Sequence, residues 1–308
     1  MTRILWTQKQ DAGPAPRAYS AMAYDSNRGR TVLFGGTGVI ATNLFADTWE
    51  WDGENWTQVA DSGPPARAQA AMAYDVQRKQ TVLFGGLGPG GFGGGDTWGW
   101  DGDNWTQLAV SGPSPRTNFA MAYDSKRQRI VVFGGLRLFA GGALLADTWE
   151  WDGAAWTQLA VTGPLGRRGH VMAYDSTRDR SVLFGGFDHF DVNTFGDTWE
   201  WNGSMWTRVS DFGTVPCVFA SLAFKGDGVA LFGGASGAAS DPAAKILGST
   251  WTWNGRNWTL RQDFGPSPRF AHAMCYDSKR GTLVLFGGFI SLQPEATVAD
   301  TWEHSEGP

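Results

Sequence analysis

One phrase, written six times, limits what this chain can fold into. An apolar run ending in a glycine pair, VLFGG, VVFGG or ALFGG, recurs with its first glycine at Gly35, Gly85, Gly134, Gly185, Gly233 and Gly287. The tripeptide DTW follows at Asp47, Asp96, Asp147, Asp197 and Asp300, and STW at Ser249 fills the remaining place. A period of about fifty residues makes each copy one supersecondary unit whose apolar faces only its neighbours can cover. Length alone would suggest two domains; the repeat makes residues 1–308 a single one.

Within a unit the pattern is that of four strands. AYSAMAYD leads through the polar turn SNRGR into TVLFGG, an antiparallel pair whose continuous apolar second member suits burial on both faces. DTWEW supplies a third strand with Trp49 and Trp51 on one side and Thr48 and Glu50 on the other, because side chains alternate with period two. Asp52-Gly53 and its equivalents turn the chain, and Trp56-Thr57-Gln58 opens the fourth strand. Four-stranded sheets of this kind cover both faces when set radially in a ring, with tryptophan filling the gap that widens outward; the chain's 17 Trp and 43 Gly fit that use.

The two ends are complementary. Trp6-Thr7-Gln8 is a fourth strand with no third before it, and Asp300-Thr301-Trp302-Glu303 is a third strand with no fourth after it. Their pairing is expected to close an all-β, six-bladed propeller and leave no long open edge.

The glycine pair after an apolar strand, the aromatic third strand, the tryptophan opening the fourth and the period near fifty resemble kelch repeats over essentially the whole chain. WD-repeat propellers, the competing family, have a shorter period. The resemblance implies a six-bladed kelch-type propeller. It also prompts a search for known kelch chemistries. The copper site of galactose oxidase needs tyrosines that are free of the scaffold, yet Tyr24, Tyr74, Tyr123, Tyr174 and Tyr276 share one repeat slot and leave only Tyr19. The Glu/Asp/His iron array of plant specifier proteins has no counterpart by spacing, and no cofactor is expected.

Internal copies show where specialisation lies. The hairpin turns are monotonous, YDSNRGR or YDSKRQR at one and WDG or WNG at the other. The second-to-third loops differ in every unit, and together with the fourth-to-first connections they emerge at the opposite end, so a site is expected there, around the mouth of the central channel. Arg17, Arg67, Arg116, Arg167 and Arg269 share a slot near the start of the first strand; they read as loop anchors, each paired with a nearby acid such as Asp47 or Glu50, or alternatively as an anion-attracting ring. Three residues on stand Ser20, Ala70, Phe119, His170, Ala220 and His272. In the fourth unit Arg168 is expected to hold a polar group, and His170 or Asp188 to move a proton. Asp188, His189 and Asp191 offer mixed donors for a divalent metal. Tyr19, Phe119, Leu136, Phe139, Phe187, His189, Asp191, Cys217, Phe270, His272 and Phe289 are the expected ligand-binding set. Unit five departs from the pattern at Cys217, Phe224, Lys225 and Ser249.

Two function classes are compatible with these residues. One is a site for a largely apolar small molecule, extending to cofactor-free isomerase, cyclase or lyase chemistry; the other is a protein-interaction module using the same face. A net charge of −5 with no basic stripe argues against nucleic acid. Two cysteines, Cys217 and Cys275, form no disulfide framework. MTRILWTQKQ has no apolar leader core, and no run of apolar residues is long enough to span a bilayer, so a cytoplasmic monomer is expected.

Overall fold

The computed structural model describes residues 4–10, 12–39, 43–91, 94–137, 142–159, 161–188, 193–211, 213–238, 240–262, 264–292 and 295–306. Among them, six antiparallel blade sheets stand in chain order, with one further two-stranded sheet. Unit one runs Ala21–Asp25, Arg30–Phe34, Thr48–Trp51 and Trp56–Ala60, with strand neighbours in that order. Unit six takes Ala273–Asp277, Thr282–Phe286 and Thr301–Glu306 from the end of the chain and Ile4–Gln10 from its start. Trp6 pairs with His304 and Gln8 with Trp302, so the ring is closed as the two half-units require. The innermost strands contact one another around the circle, Ala273–Asp277 against Ala21–Asp25 included. This is a six-bladed β-propeller. Among the described residues, no helix is long and apolar enough to cross a membrane.

The tryptophans bind blade to blade through both their rings and their N–H groups. Trp51, Trp100, Trp151, Trp201 and Trp253 are each only 1% exposed and lie 5.4–5.6 Å, centroid to centroid, from Trp56, Trp105, Trp156, Trp206 and Trp258. Each tryptophan that opens a fourth strand donates its Nε1–H to the third-strand threonine of the preceding blade, at 2.7–2.9 Å in all six seams. A buried indole thus has its polar edge satisfied while its area is spent on packing. Gly63, at φ 135°, lies flat on Trp105; a Cβ there would come 2.6 Å from the ring.

A second network ties the hairpin end. Arg28 bonds Asp25 at 2.7 Å and Glu50 at 2.5 Å, and Glu50 in turn accepts Nε1–H from Trp100 of the next blade at 3.0 Å. Arg127, Arg178 and Arg280 repeat this, and Glu303 receives Trp51 across the closure.

Two second-to-third loops are regular where irregular loops were expected. In unit three the strands Arg129–Arg137 and Leu144–Trp151 continue past the blade, with Arg116–Thr117 added alongside. In unit six Phe289–Leu292 pairs with Glu295–Thr297. Units three and six are opposite each other in a ring of six, so a hairpin rises on either side of the channel mouth.

Candidate functional site

The site is built on the five arginines. Arg17, Arg67, Arg116, Arg167 and Arg269 are 0–4% exposed, and each grips one aspartate through both Nη atoms: Asp47, Asp96, Asp147, Asp197 and Asp300, at 2.6–2.9 Å. Each also donates to the first carbonyl of its glycine pair, as Arg17 does to Gly35 at 3.1 Å. Burial alone would raise the aspartate pKa values, but the paired guanidinium outweighs it and holds them below the ordinary carboxylate range. These arginines are loop anchors; their donors are engaged and do not form an anion ring. Phe45 and Phe195 cover Arg17 and Arg167 at 3.8 and 4.2 Å. In unit five Cys217 and Ser249 replace the pair together, and Ser249 Oγ still accepts from Trp251 Nε1 at 3.0 Å.

Two residues past each arginine slot the chain enters the left-handed region. Tyr19, Gln69, Asn118, Phe219 and Ala271 have φ between 52° and 60°, and Gly169 has φ 67°. Their backbones form one closed circle. Tyr19 N–H donates to Ala271 O, Gln69 to Tyr19, Asn118 to Gln69, Gly169 to Asn118, Phe219 to Gly169 and Ala271 to Phe219, at 2.7–3.4 Å. Six peptide groups, one from each blade, thereby rim the channel. The rim encloses a cavity of about 220 Å³ whose lining includes no Asp, Glu, Lys or Arg.

The backbone of this rim is six-fold, and its side chains are not. Gln69 and Asn118 make one arc polar, Gly169 leaves a gap, and Phe219 and Tyr19 make the other arc aromatic, their rings 5.4 Å apart and edge-on. Behind that arc Phe187, Val218, Phe270 and Phe289 form a buried apolar cap over units four to six, with Phe270 stacked on Phe289 at 5.2 Å. Desolvation pushes the Tyr19 phenol pKa upward, Glu295 adds to the rise and Arg168 opposes it, so the rim is neutral at ordinary pH.

The structure places the expected site residues unevenly. Tyr19 lines the mouth. Phe187, Phe270 and Phe289, at 3–7% exposure, support it from behind without opening onto it. Phe119, His170 and His272 also line the cavity, just inside the rim, with each ring turned toward a seam and lying over a glycine of the preceding blade: Gly85, Gly134 and Gly233. His170 Nε2 is 3.1 Å from Phe133 O, and the ring stands edge-on to Phe133. Desolvation, then Arg167, pushes the His170 pKa down to about 3, and desolvation with Arg269 does the same to His272. Both imidazoles are therefore neutral near pH 7. Arg168 is half-buried at the edge of the rim, its backbone bridged to Phe187. Asp188 accepts from Asn193 Nδ2 at 2.6 Å, closing its own loop. Leu136 pairs across the unit-three hairpin with Leu144. Cys217 is 2% exposed, with its thiol pushed up to about 12 by desolvation. Phe139, His189 and Asp191 lie outside the described residues, and among the described residues no cluster of His, Cys, Asp or Glu is arranged to hold a metal.

Sequence reasoning passes over Gln69, Asn118 and Gly169. Their signal was present as a slot, two residues after the shared arginine, holding six different residues in six copies. Its meaning needed the backbone: nothing in the letters says that this slot curls inward.

The family model for the KLHDC2/KLHL20/DRC7 Kelch-repeats domain matches residues 54–234, more than half of the chain. No curated protein matches it.

Proposed function

The chain belongs to the kelch-repeat family, and from that premise we propose that it is a recognition scaffold that binds a polypeptide partner at its loop-rich end, with one partner side chain entering the channel mouth. The observation that carries this reading is the rim: one backbone geometry repeated six times, presenting Tyr19, Gln69, Asn118, Gly169, Phe219 and Ala271, no two alike. A structural position repeated for packing alone has no need of such variety, as the uniform hairpin end illustrates. The rigid aromatic arc supplies an apolar anchor point and the amide arc supplies directional hydrogen bonds, a combination suited to a partner's anchoring side chain. The hairpins of units three and six extend the surface on two sides.

Volume weighs against a substrate-sized pocket within the channel mouth itself, although a cleft of about 710 Å³ opens between the loops of units two and three. About 220 Å³ at the mouth falls below the roughly 300–1,000 Å³ of small-molecule sites. Proton transfer by His170, which lines this cavity, is weakened as a reading by its depressed pKa and by the engagement of its Nε2 with Phe133 O. A photo-crosslinking amino acid introduced at Phe219 should capture a polypeptide when the protein is expressed in its host, and the same group at Glu54, on the hairpin end, should not. Equal capture at both ends, or a small molecule retained at the mouth in native mass spectrometry, would overturn the assignment.

A further inference from the structure

Two neighbouring side-chain amides on the rim stand without hydrogen-bond partners. Gln69 and Asn118 are half-buried, belong to adjacent blades, and both line the cavity at the mouth. Their backbones are part of the hydrogen-bonded circle, but among the described residues neither carboxamide is bonded. Other polar groups of the lining are engaged or turned away. Ser20 Oγ donates to Gly35 O at 3.0 Å, Ser221 Oγ donates to His272 O at 2.8 Å, and His170 Nε2 lies 3.1 Å from Phe133 O. Both ring nitrogens of His272 are buried away from the cavity. Arg168 and Glu295 act on the Tyr19 phenol from outside the lining.

The facing arc has the opposite chemistry. Unit five stands across the ring from unit two, and there Phe219 and Tyr19 present rings 5.4 Å apart. Deeper in the channel the lining is Met22, Met72, Met121, Met172, Met274 and Leu222, and thioethers are soft, polarizable surfaces for an aromatic ring. A group that fills this space needs an apolar planar body and a tip that serves two carboxamides. Each carboxamide offers a carbonyl acceptor and an NH2 donor. A phenol hydroxyl accepts from one and donates to the other, whereas an indole N–H only donates and a phenyl ring leaves both amides unpaired. Imidazole also donates and accepts, but its ring is polar on the side that would face Phe219. Charged groups are disfavoured, because no ionised side chain lines the cavity to compensate a desolvated ion.

Given that the mouth takes a polypeptide, we propose that the side chain it receives is an unmodified tyrosine, its ring against Tyr19 and Phe219 and its hydroxyl between Gln69 and Asn118. Phosphorylation of that tyrosine would bring about two negative charges into an uncharged cavity and so release the partner.

N-acetyl-tyrosinamide titrated into the protein should give a saturable calorimetric isotherm and shift the side-chain amide NMR signals of Gln69 and Asn118, assigned by their loss in Gln69→Gly and Asn118→Gly. N-acetyl-phenylalaninamide should bind about tenfold more weakly, the difference expected of two net hydrogen bonds, and N-acetyl-phosphotyrosinamide should not bind. In the double variant Gln69→Gly with Asn118→Gly, the tyrosine and phenylalanine amides should bind within about twofold of each other. Both positions have positive φ, 60° and 53°, so glycine eases the backbone and a lost preference is not a lost fold. Equal binding of the tyrosine and phenylalanine amides to the parent, equal binding of the phosphorylated form, or a tyrosine preference that survives in the double variant would overturn the proposal. Free p-cresol separates the tyrosine from the wider reading. If p-cresol binds and N-acetyl-tyrosinamide does not, the mouth takes a free phenol and the polypeptide reading falls with the tyrosine. If neither binds while the crosslinker at Phe219 still captures a polypeptide, only the tyrosine falls.

Discussion

A left-handed backbone is an uphill place for tyrosine, glutamine or phenylalanine, at about 1–2 kcal/mol per residue, and this chain accepts it at five rim positions. The circle of inter-blade hydrogen bonds and the side chains it aims at the channel offset that cost. Ala271→Gly, which removes the strain and only a methyl group, should therefore raise stability by about 1 kcal/mol in urea unfolding. Gly169→Ala should lower it by a similar or larger amount, because the new Cβ at φ 67° would also come 2.8 Å from the Phe219 ring.

Residue-scale burial also fixes a pH response. The folded-state pKa values of His170 and His272, about 3, lie below the ordinary 6.5. Between those values the unfolded chain binds more protons, so stability is full above about pH 6.5 and falls as the pH drops toward 3. Each histidine contributes a slope of up to about 1.4 kcal/mol per pH unit there. Replacing both with phenylalanine, the residue that occupies the same slot as Phe119, should flatten denaturation midpoints between pH 6 and pH 4. An unchanged slope would mean that other groups carry it. The five gripped aspartates act lower: their depressed pKa values give stability that is present above the ordinary carboxylate value and lost only on acidification below it.

At the scale of the element, most strands were legible because period-two alternation and Asp-Gly or Asn-Gly turns are local signals. The hairpin extensions of units three and six were not, since LRLF and ALLA read equally as an apolar loop until their pairing is seen. The third strand of unit two shows how one missing side chain propagates. Gly99 stands where Glu50, Glu150, Glu200 and Glu303 stand, and Trp151 Nε1 of the next blade is buried without a hydrogen-bond partner. Gly99→Glu should give Trp151 its missing acceptor and Arg78, which already donates to Asp75 and to the Asp152 carbonyl, a second carboxylate. The new Cβ meets only the amide end of the flexible Gln80 side chain, which can move aside. The expected gain is about 1–2 kcal/mol, read as a rise of a few degrees in Tm.

For the whole molecule, closure is the property on which every seam depends. Trp6, 7% exposed, bonds Thr250 across the seam at 2.9 Å and packs on Phe232 and His304. Trp6→Ala should cost about 3–5 kcal/mol, the range for large aromatic truncations in a core. Removing residues 1–10 should do more than lower Tm: it exposes the strand Thr301–Glu306 as an open edge, and size-exclusion chromatography should show association through it. A truncated protein that stays monomeric and melts like the parent would show that the ring does not need its first strand.

The amino-acid sequence by itself determined the number of blades, their strands and the closing of the ring, because each is written as a repeated local pattern or as two complementary halves; that the slot arginines grip Asp47 and its equivalents, not Glu50 or an anion, was decided by the structure. Only the tertiary structure decided which repeated slots face the channel and which face a seam. His170 and Gly169 are adjacent in the chain and both line the cavity, yet the left-handed turn at Gly169 leaves its own backbone on the rim and turns the His170 ring toward the neighbouring blade's Gly134. The same limit applied to the mouth: Gln69, Asn118 and Phe219 lie in three separate repeats, and they become one lining only where the ring brings them together.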